Sequence, residues 1–426
     1  MIRGTKLTNN KNMSLQSKFR VIKDVDYIYI PLVTYNNKNI TCDFKIGDYV
    51  YKGQIIARSN DKYDAKIVSS VSGIIKDIKP HLYIDNTKVP TVIIENDFLD
   101  KEKVKKGAKK NISKYAYQEI ISLMKKHGVV GMSGSNFPTH YKYGMDLKIK
   151  KLIVNAVEDE VYITSDFTNL NDKPAEILEA IDALMQAFKI EECTIALKSF
   201  NKVGYDDFIN YMGTYPNIHI KEVPDKYPVG YEKNLTNYIY KTKVRKYPME
   251  RSIMVNNIST IYEIYRVLKY EKPITGRIIT ISGNAVKNPQ NVYVKYGTLL
   301  SDILKQIGGV SYDDIIVIIN GPMMGCAVSS LDIAITPKVT GVVIQKNYKD
   351  LKEADCINCG KCFNVCPVRL SPALIKKYKD NKSILKKLNP NKCMGCGLCS
   401  YICPSKINLR DNVSYACEVI DDEIKC

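Results

Sequence analysis

Eight of the 13 cysteines lie between Cys356 and Cys403, and their spacing is the strongest chemical signal in the chain. They form two runs with the same gaps, and each run ends in Cys-Pro. The first run is Cys356, Cys359, Cys362 and Cys366, and the second is Cys393, Cys396, Cys399 and Cys403. Gaps of two residues let a chain wrap one face of a compact metal cluster, and Gly360, Gly395 and Gly397 ease the tight turns. The two runs therefore predict sulfur ligands to metal.

The spacing is that of bacterial ferredoxins with two 4Fe–4S clusters, in which three close cysteines bind one cluster and the fourth binds the other. We accordingly assign two sets of ligands: Cys356, Cys359, Cys362 and Cys403 for one cluster, and Cys393, Cys396, Cys399 and Cys366 for the second. Zinc is the alternative, but zinc sites usually present separated Cys-x2-Cys pairs with four ligands in total. Without a secretory signal, clustered cysteines also favour metal ligation over disulfides.

Basic residues are concentrated around the cysteine runs. Residues 351–410 contain 12 Lys or Arg against 3 Asp or Glu, in a chain with a formal net charge of +18. An oxidised 4Fe–4S cube with its thiolates carries about two negative charges, which nearby lysines neutralise. The two clusters therefore account for part of the positive charge of this segment. The remaining lysines suit docking of a ferredoxin or another acidic redox protein, although a solvated helix face explains any single lysine equally well. Nucleic-acid binding has only charge in its favour, so we expect no nucleic-acid partner.

The rest of the chain supplies the elements that must position a redox site. A length of 426 residues, with 45% hydrophobic and 25% charged residues, predicts several globular domains and excludes wholesale disorder, a collagen repeat or a coiled coil. No apolar run reaches the roughly 18–20 residues of a membrane span, and no signal-peptide core begins the chain. We therefore expect a soluble or peripheral protein of the cytoplasm, with no transmembrane segment.

Periodicity predicts a multidomain chain of α/β and α+β character. An N-terminal tail and a β unit that resembles the lipoyl barrel-sandwich domain occupy residues 1–103. An α/β domain with a parallel sheet follows over 104–246, and a β-grasp domain over 247–343. The two-cluster ferredoxin-like domain spans 344–412, and an acidic tail spans 413–426.

A few elements within these domains are predicted sharply. Residues 174–188 form an amphipathic helix, with Asn171 or Asp172 as its cap and Pro174 in its first turn. A helix over 115–126 ends near Gly128, because glycine commonly terminates helices. The strands of the α/β domain are predicted at 151–157, 193–197 and 218–223, and those of the β-grasp domain at 277–283 and 315–321.

Further motifs, taken in order with the cysteine runs, resemble the C subunit of the Rnf (Rsx) electron-transport complex. They are Tyr227–Lys233 (Tyr-Pro-Val-Gly-Tyr-Glu-Lys), Val255-Asn256-Asn257, and Asn320–Gly325 (Asn-Gly-Pro-Met-Met-Gly). The resemblance covers nearly the whole chain. It implies an SLBB-like β-grasp domain and an α/β domain similar to the flavin- and NADH-binding subunit of respiratory complex I.

In that family, a glycine-rich loop and an Asn-x-x-Glu-x-Glu segment hold FMN. Glycines let backbone amides approach the phosphate, and a helix N-terminus favours the anion. The matching residues here are Gly131, Gly134, Phe137, Asn155, Glu158, Glu160 and Tyr162. Ser133 departs by replacing a glycine, and Asp159 and Lys198 replace Cys and Glu. Two interpretations stay open: bound FMN with NADH as substrate, or an inherited scaffold with a weakened flavin site.

The resemblance implies a subunit that passes electrons through FMN and two 4Fe–4S clusters, within an ion-translocating NADH–ferredoxin oxidoreductase. Such a subunit would lie at the cytoplasmic face of the membrane, bound to the membrane subunits of an Rnf-type complex. We nominate no catalytic side chain, because the cofactors carry the chemistry. The alternative is an iron–sulfur relay paralogue that serves a soluble reductase, such as a proline or cobalamin reductase, with a weakened or lost flavin site.

Overall fold

The computed structural model describes residues 3–15, 18–103, 110–145, 148–198, 205–244, 246–348 and 352–420. Within these residues, no helix has the length and apolarity needed to cross a bilayer. Single 3-10 turns occur at Lys11–Met13, Ile112–Lys114, Pro248–Arg251 and Pro390–Lys392.

The N-terminal unit is a small antiparallel β structure. Its sheet has the order β2-β7-β6-β3, and β4 pairs with β5 beside it. The strands are β2 Tyr27–Pro31, β3 Tyr49–Val50, β4 Ile55–Arg58, β5 Lys66–Val68, β6 Gly73–Leu82 and β7 Lys88–Asn96. Alternation along β2 buries Ile28 and Ile30 against Val92 and Ile94, which gives this unit its own core. The preceding short strand β1, Arg20–Val21, leaves this unit and pairs with the β-grasp sheet.

The next unit is a parallel sheet flanked by helices. Its strand order is β10-β9-β8-β11, and every neighbouring pair is parallel. The strands are β8 Lys151–Asn155, β9 Glu192–Lys198, β10 Ile218–Val223 and β11 Ile253–Asn257. The helices are α1 Tyr117–His127, α2 Thr139–Tyr143, α3 Ser165–Asp172, α4 Pro174–Phe188, α5 Tyr205–Met212, α6 Glu232–Tyr240 and α7 Ile258–Tyr270. Because parallel strands end at one edge, the loops after β8 and β11 meet there.

The sharply predicted helices are present, with small changes at their ends. Helix α4 has the predicted bounds, but its N-cap is Lys173 rather than Asn171 or Asp172, because those two residues still belong to α3. Helix α1 ends at Gly128, whose φ of 68° suits glycine.

The β-grasp unit has a six-stranded mixed sheet in the order β1-β13-β12-β16-β14-β15. Its elements are β12 Gly276–Ser282, β13 Gln290–Lys295, α8 Leu300–Ile307, β14 Ile315–Ile319, β15 Cys326–Val328 and β16 Gly341–Lys346. Strand β11 and helix α7 fall within the predicted 247–343 domain. In the structure they complete the parallel sheet and its core, because β11 pairs with β8 and Ile261 and Leu268 are buried there. We therefore place the junction between the two units after Tyr270.

The cysteine segment folds as two short, similar halves. Each half starts a helix directly after a glycine with positive φ, Gly360 at 70° and Gly397 at 74°. The helices are α9 Lys361–Val365, α10 Pro372–Lys377, α11 Lys382–Leu388, α12 Leu398–Tyr401 and α13 Leu409–Ile420. Helix α13 contains most of the predicted acidic tail, and its Val413 and Ala416 pack against this unit. Residues 421–426, including Cys426, lie outside the described residues.

Candidate cofactor sites and the contact between them

One predicted set of cysteines surrounds a common cavity. Cys366, Cys393, Cys396 and Cys399 all line it, so the fold brings the last cysteine of the first run to three cysteines of the second. The backbone amides of Leu370 and Gly395 donate to the sulfur atoms of Cys366 (3.2 Å) and Cys393 (3.4 Å). Hydrogen bonds of this kind tune the potential of an iron–sulfur cluster.

The environment of these thiols suits ligands that a metal deprotonates. Burial raises the pKa of the Cys396 thiol to about 11 and that of Cys399 to about 12. The surrounding protein therefore does not itself produce thiolates at neutral pH, whereas coordination to a metal does.

The other predicted set is more open to solvent. Cys362 is buried with Ile407 and Leu409, and Cys403 packs against the same cluster. Cys356 and Cys359 are exposed. Across the described residues, no three His, Cys, Asp or Glu side chains converge on a single-ion site.

The glycine-rich loop joins α1 to α2 and leaves several amides available. The loop closes on itself, because the amide of Gly131 donates to the carbonyl of Phe137 (2.8 Å). The Met132 amide donates to the hydroxyl of Thr260 (2.9 Å). Within the described part of the chain, the amides of Ser133, Gly134 and Ser135 find no acceptor. Consecutive available amides are what a phosphate group requires, so the loop fits the phosphate of FMN despite the serine at 133.

Asn155 and Glu158 fix the loop that follows β8. The Asn155 side-chain amide donates to the carbonyl of Gly230 (2.7 Å), and its oxygen accepts from the amide of Val157 (3.1 Å). Glu158 accepts from the amides of Asp166 (2.8 Å) and Phe167 (3.2 Å), so it caps the N-terminus of α3. Burial raises the pKa of Glu158 to about 7.

Glu160 reaches the β-grasp unit instead. Its carboxylate accepts from the amides of Met323 (2.6 Å) and Met324 (3.1 Å), in the Asn-Gly-Pro-Met-Met-Gly turn. A Cβ at Gly321 would lie 2.2 Å from the Glu160 side chain, so glycine is required there. Burial raises the pKa of Glu160 to about 7, and its second oxygen is buried without a partner among the described residues. That orphaned oxygen is a further polar group available to a ligand.

Tyr162 is held by the N-terminal segment. It adopts a φ of 69°, and its amide donates to the carbonyl of Asn9 (2.7 Å). The side chain is half-buried and packs on a cluster that includes Val161, Met323 and Cys396. Tyr162 is the last residue of the segment 155–162, here called the flavin-like segment, and it therefore brings that segment against the second cysteine run.

The departures at Asp159 and Lys198 compensate each other. Their charged atoms lie 2.7 Å apart, with only 15% and 4% of the side chains exposed. The amide of Gly230 also donates to Asp159 (2.5 Å). The reversed charge at 198 thus meets a new carboxylate at 159, and the pair preserves the packing of this loop on β9.

Two buried basic residues at the site belong to no recognisable sequence motif. Lys11 is 2% exposed and donates to the carbonyls of Glu160 (2.8 Å) and Ile163. Arg277, 3% exposed, donates to the carbonyls of Met132 (2.9 Å) and Pro337 (2.6 Å). Both residues are distant in sequence from the loops they hold, so no local pattern could reveal them.

The second cysteine run packs directly against the flavin-like segment. The hydroxyl of Tyr227 donates to the carbonyl of Cys396 (2.6 Å). Arg410 donates to the carbonyls of Met323 (3.0 Å) and Gly325 (3.2 Å). A Cβ at Gly397 would lie 2.3 Å from the carbonyl oxygen of Met323. The turn at 321–325 therefore touches Glu160 on one side and the second cysteine run on the other.

The sequence models of four domain families match in the same order as the units of the structure. They are the RnfC barrel sandwich hybrid domain (residues 1–99), the Nuo51 FMN-binding domain (124–266), the SLBB domain (278–327) and the 4Fe-4S dicluster domain (347–407). The predicted fold class is confirmed, and so are FMN and 4Fe–4S clusters as the cofactors of these domain types.

Curated relatives match along most of the chain. The C subunit of the proton-translocating ferredoxin:NAD(+) oxidoreductase complex of Clostridium ljungdahlii is 29% identical over 378 residues, covering 87% of this chain and 82% of that protein. Its Na(+)-translocating counterpart from Acetobacterium woodii is 27% identical, covering 84% and 82%. The chain resembles the RnfC family along most of its length. Another RnfC relative, the C subunit of the ion-translocating oxidoreductase complex of Rhodobacter capsulatus, is 27% identical over 85% of this chain.

Solved structures extend the comparison of the RnfC fold. The NAD+-reducing NiFe hydrogenase in its air-oxidized state aligns with a TM-score of 0.54 and 14% identity, covering 72% of this chain and 62% of that one. The H2-reduced state gives a TM-score of 0.50 at the same identity. At this identity the likeness concerns the fold alone.

Proposed function

We propose that this chain is the electron-transfer subunit of a membrane-associated, ion-translocating NADH–ferredoxin oxidoreductase of the Rnf type. It works at the cytoplasmic face of the membrane as a peripheral subunit, bound to the other subunits of that complex. The resemblance to the RnfC family and the matched FMN-binding and dicluster domains support this proposal. Within the chain, the eight clustered cysteines hold two 4Fe–4S clusters in the crossed sets given above.

The residues of the flavin-like segment bind and orient rather than react. The amides of Ser133, Gly134 and Ser135 would hold the phosphate of FMN, while Glu158 and Glu160 keep the floor of the site rigid by anchoring α3 and the 321–325 turn. FMN, when bound, converts a two-electron hydride transfer into single-electron steps. No side chain needs to donate or accept a proton for hydride transfer.

One observation carries the proposal: the second cysteine run shares a buried contact with the flavin-like segment. Val161, Tyr227, Met323 and Cys396 form a single apolar cluster. This contact excludes water and keeps the set Cys366, Cys393, Cys396 and Cys399 next to the flavin-like segment. In the other set, by contrast, Cys356 and Cys359 are exposed. The chain therefore orders its clusters, with the buried set nearer the flavin-like segment and the exposed set nearer the partner.

The surface around the exposed set suits an acidic redox protein such as a ferredoxin. Ile357 is 67% exposed and Phe363 is 40% exposed, beside the exposed cysteines. Lys361 lies between these two residues in sequence, and the Arg3 guanidinium lies 5.3 Å from the centre of the Phe363 ring. Charge attraction steers such a partner, while the apolar centre provides short-lived contact.

A reduction experiment tests this proposal. Full-length protein, purified and assayed without oxygen, is mixed with NADH, and cluster reduction is followed by EPR. We expect both clusters to be reduced and the flavin to be extractable as FMN. A preparation with the full amount of iron and sulfide, but with no flavin and no cluster reduction by NADH, would contradict NADH oxidation by this chain. Electron transfer between proteins through the two clusters would then remain as its function.

A relay role without flavin is the second candidate. Both glutamates of the flavin-like segment, Glu158 and Glu160, already make structural hydrogen bonds, and the Asp159–Lys198 pair occupies the same loop. These contacts would hold the two cysteine sets in place even with no flavin bound. The flavin extraction in the same experiment separates the two candidates.

A further inference from the structure

A cavity of about 70 Å³ lies where the barrel-sandwich, flavin-like and β-grasp units meet. Its lining contains none of the predicted cluster or FMN ligands. The polar side chains on its wall come from all three units and include Thr34, Lys66, His127, Asn136, Tyr296 and Thr336. The cavity is therefore a separate feature of the fold.

Five buried polar atoms of these wall residues have no hydrogen-bond partner among the described residues. They are the hydroxyls of Thr34, Tyr296 and Thr336, Nε2 of His127 and Oδ1 of Asn136. These side chains are only 4%, 6%, 7%, 8% and 7% exposed, respectively. A buried polar atom without a partner has lost its hydrogen bonds to water with no replacement, so five around one cavity indicate a site built for a polar occupant.

The charge on the wall is positive. Lys66 lines the cavity, and across the described ranges it forms no ion pair. The acidic residues nearest to it and to His127 are already engaged, since Asp64 pairs with Lys125 (3.1 Å) and Glu271 pairs with Lys110. Burial lowers the pKa of Lys66, so an anion beside it would offset the cost of burying its charge. Asn136, in contrast, offers an oxygen that needs a donor.

We propose that this cavity binds a small hydroxycarboxylate, with its carboxylate on Lys66 and the hydroxyls of Thr34 and Tyr296 and its own hydroxyl directed at Asn136. A water molecule needs about 10–15 Å³ of such space, so the cavity accepts about five non-hydrogen atoms. Glycolate has this size and both functional groups. Because Asn136 belongs to the glycine-rich loop, the ligand ties that loop to the barrel-sandwich and β-grasp units.

Equilibrium dialysis of radiolabelled glycolate against the full chain, purified without oxygen, tests the site. For five non-hydrogen atoms we expect a Kd of about 1 mM. Acetate lacks the hydroxyl and should compete about tenfold more weakly, and ethylene glycol lacks the charge and should compete least. This comparison uses the unaltered protein, so it does not depend on a variant that folds.

Two variants locate the binding. Thr34→Val and Tyr296→Phe each remove one unpartnered hydroxyl, which should leave folding intact and weaken glycolate binding about tenfold. Tyr312→Phe, an exposed tyrosine of the same β-grasp unit, is the matched control and should bind as the unaltered chain does. No saturable binding up to about 50 mM, or binding unchanged by both cavity variants, overturns the proposal. A high-resolution crystal structure soaked in glycolate that shows only ordered water in the cavity also overturns it.

Discussion

Replacing Lys198 by methionine tests whether the two departures from the family pattern support each other. The Lys198 ammonium lies 2.7 Å from the Asp159 carboxylate, and both side chains are largely shielded from water. Removing one partner of a buried ion pair typically costs about 3–5 kcal/mol, because the other charge stays buried. Asp159 keeps the amide of Gly230, and the Lys11 ammonium also lies close enough to interact with it. We therefore expect the lower end, about 3 kcal/mol.

Hydrogen–deuterium exchange of the peptides that cover β8 and β9 measures this cost locally, without assuming two-state unfolding of a multidomain chain. About 3 kcal/mol corresponds to exchange roughly 100-fold faster. Lys151→Met is the matched control, since Lys151 and Glu192 form a partly exposed pair (2.6 Å) on the same sheet. An exposed pair contributes about 1 kcal/mol at most, so exchange should change by less than about fivefold.

A second variant separates the ion pair from the packing of the lysine stem. Asp159→Asn with Lys198→Met removes both charges of the pair, and Asp225, which also contacts Lys198 (3.8 Å), keeps its contact with Lys6 (3.4 Å). Exchange should therefore return most of the way towards that of the unaltered chain. If Lys198→Met exchanges as slowly as the unaltered chain, or if the double variant is worse than either single one, the compensation argument is refuted.

The remaining predictions concern ligation, packing and pH. Cys403→Ala should remove one cluster, about four irons, and leave the cluster of the other set visible by EPR. The control variant Cys326→Ala should lose no iron. Loss of both clusters to an equal extent in Cys403→Ala would contradict crossed ligation. Gly397→Ala should loosen the cysteine unit from the 321–325 turn and speed proteolysis there, because the added Cβ meets the Met323 carbonyl. Gly395→Ala has open space around it, so it should lower stability by only the backbone strain of a positive φ, about 1 kcal/mol. The pKa of Glu160 is about 7 in the folded chain, against an ordinary value of 4.5. Between these pH values the folded chain holds a proton that the unfolded chain has lost. The free energy of unfolding should therefore fall by up to about 3 kcal/mol as the pH rises from 4.5 to above 7. Glu160→Gln should flatten that part of the denaturation profile relative to Glu192→Gln, and an unchanged profile would show that the carboxyl does not titrate in this window.

Much of the fold could be predicted because local patterns determine it. The amphipathic period of residues 174–188 and the proline at its start specify α4, and the glycine at 128 ends α1. The position of β11 and α7 could not be predicted, because a strand followed by a helix suits either neighbouring unit. Its pairing with β8 depends on contacts about 100 residues apart in sequence.

The residues of the candidate site also fall into two groups, those that local motifs predict and those that only the fold brings together. The cysteine spacing encodes its ligands locally, and the glycine-rich loop and the Asn-x-x-Glu-x-Glu segment are recognisable as motifs. Lys11 and Arg277 could not be found in this way, since each holds a loop more than 140 residues away through backbone carbonyls that any residue offers. The Asp159–Lys198 pair looked like two separate losses in sequence, and only their separation of 2.7 Å shows a single exchange.

The central claim is that the last quarter of the chain holds two iron–sulfur cubes, one of them beside the flavin-like segment. Metal and sulfide analysis of full-length protein purified without oxygen, combined with EPR of the reduced protein, tests it most directly. The account predicts about eight irons and eight sulfides per chain, and signals broadened by coupling between two nearby reduced clusters. A colourless protein with zinc or without iron, prepared in the same way, would contradict it.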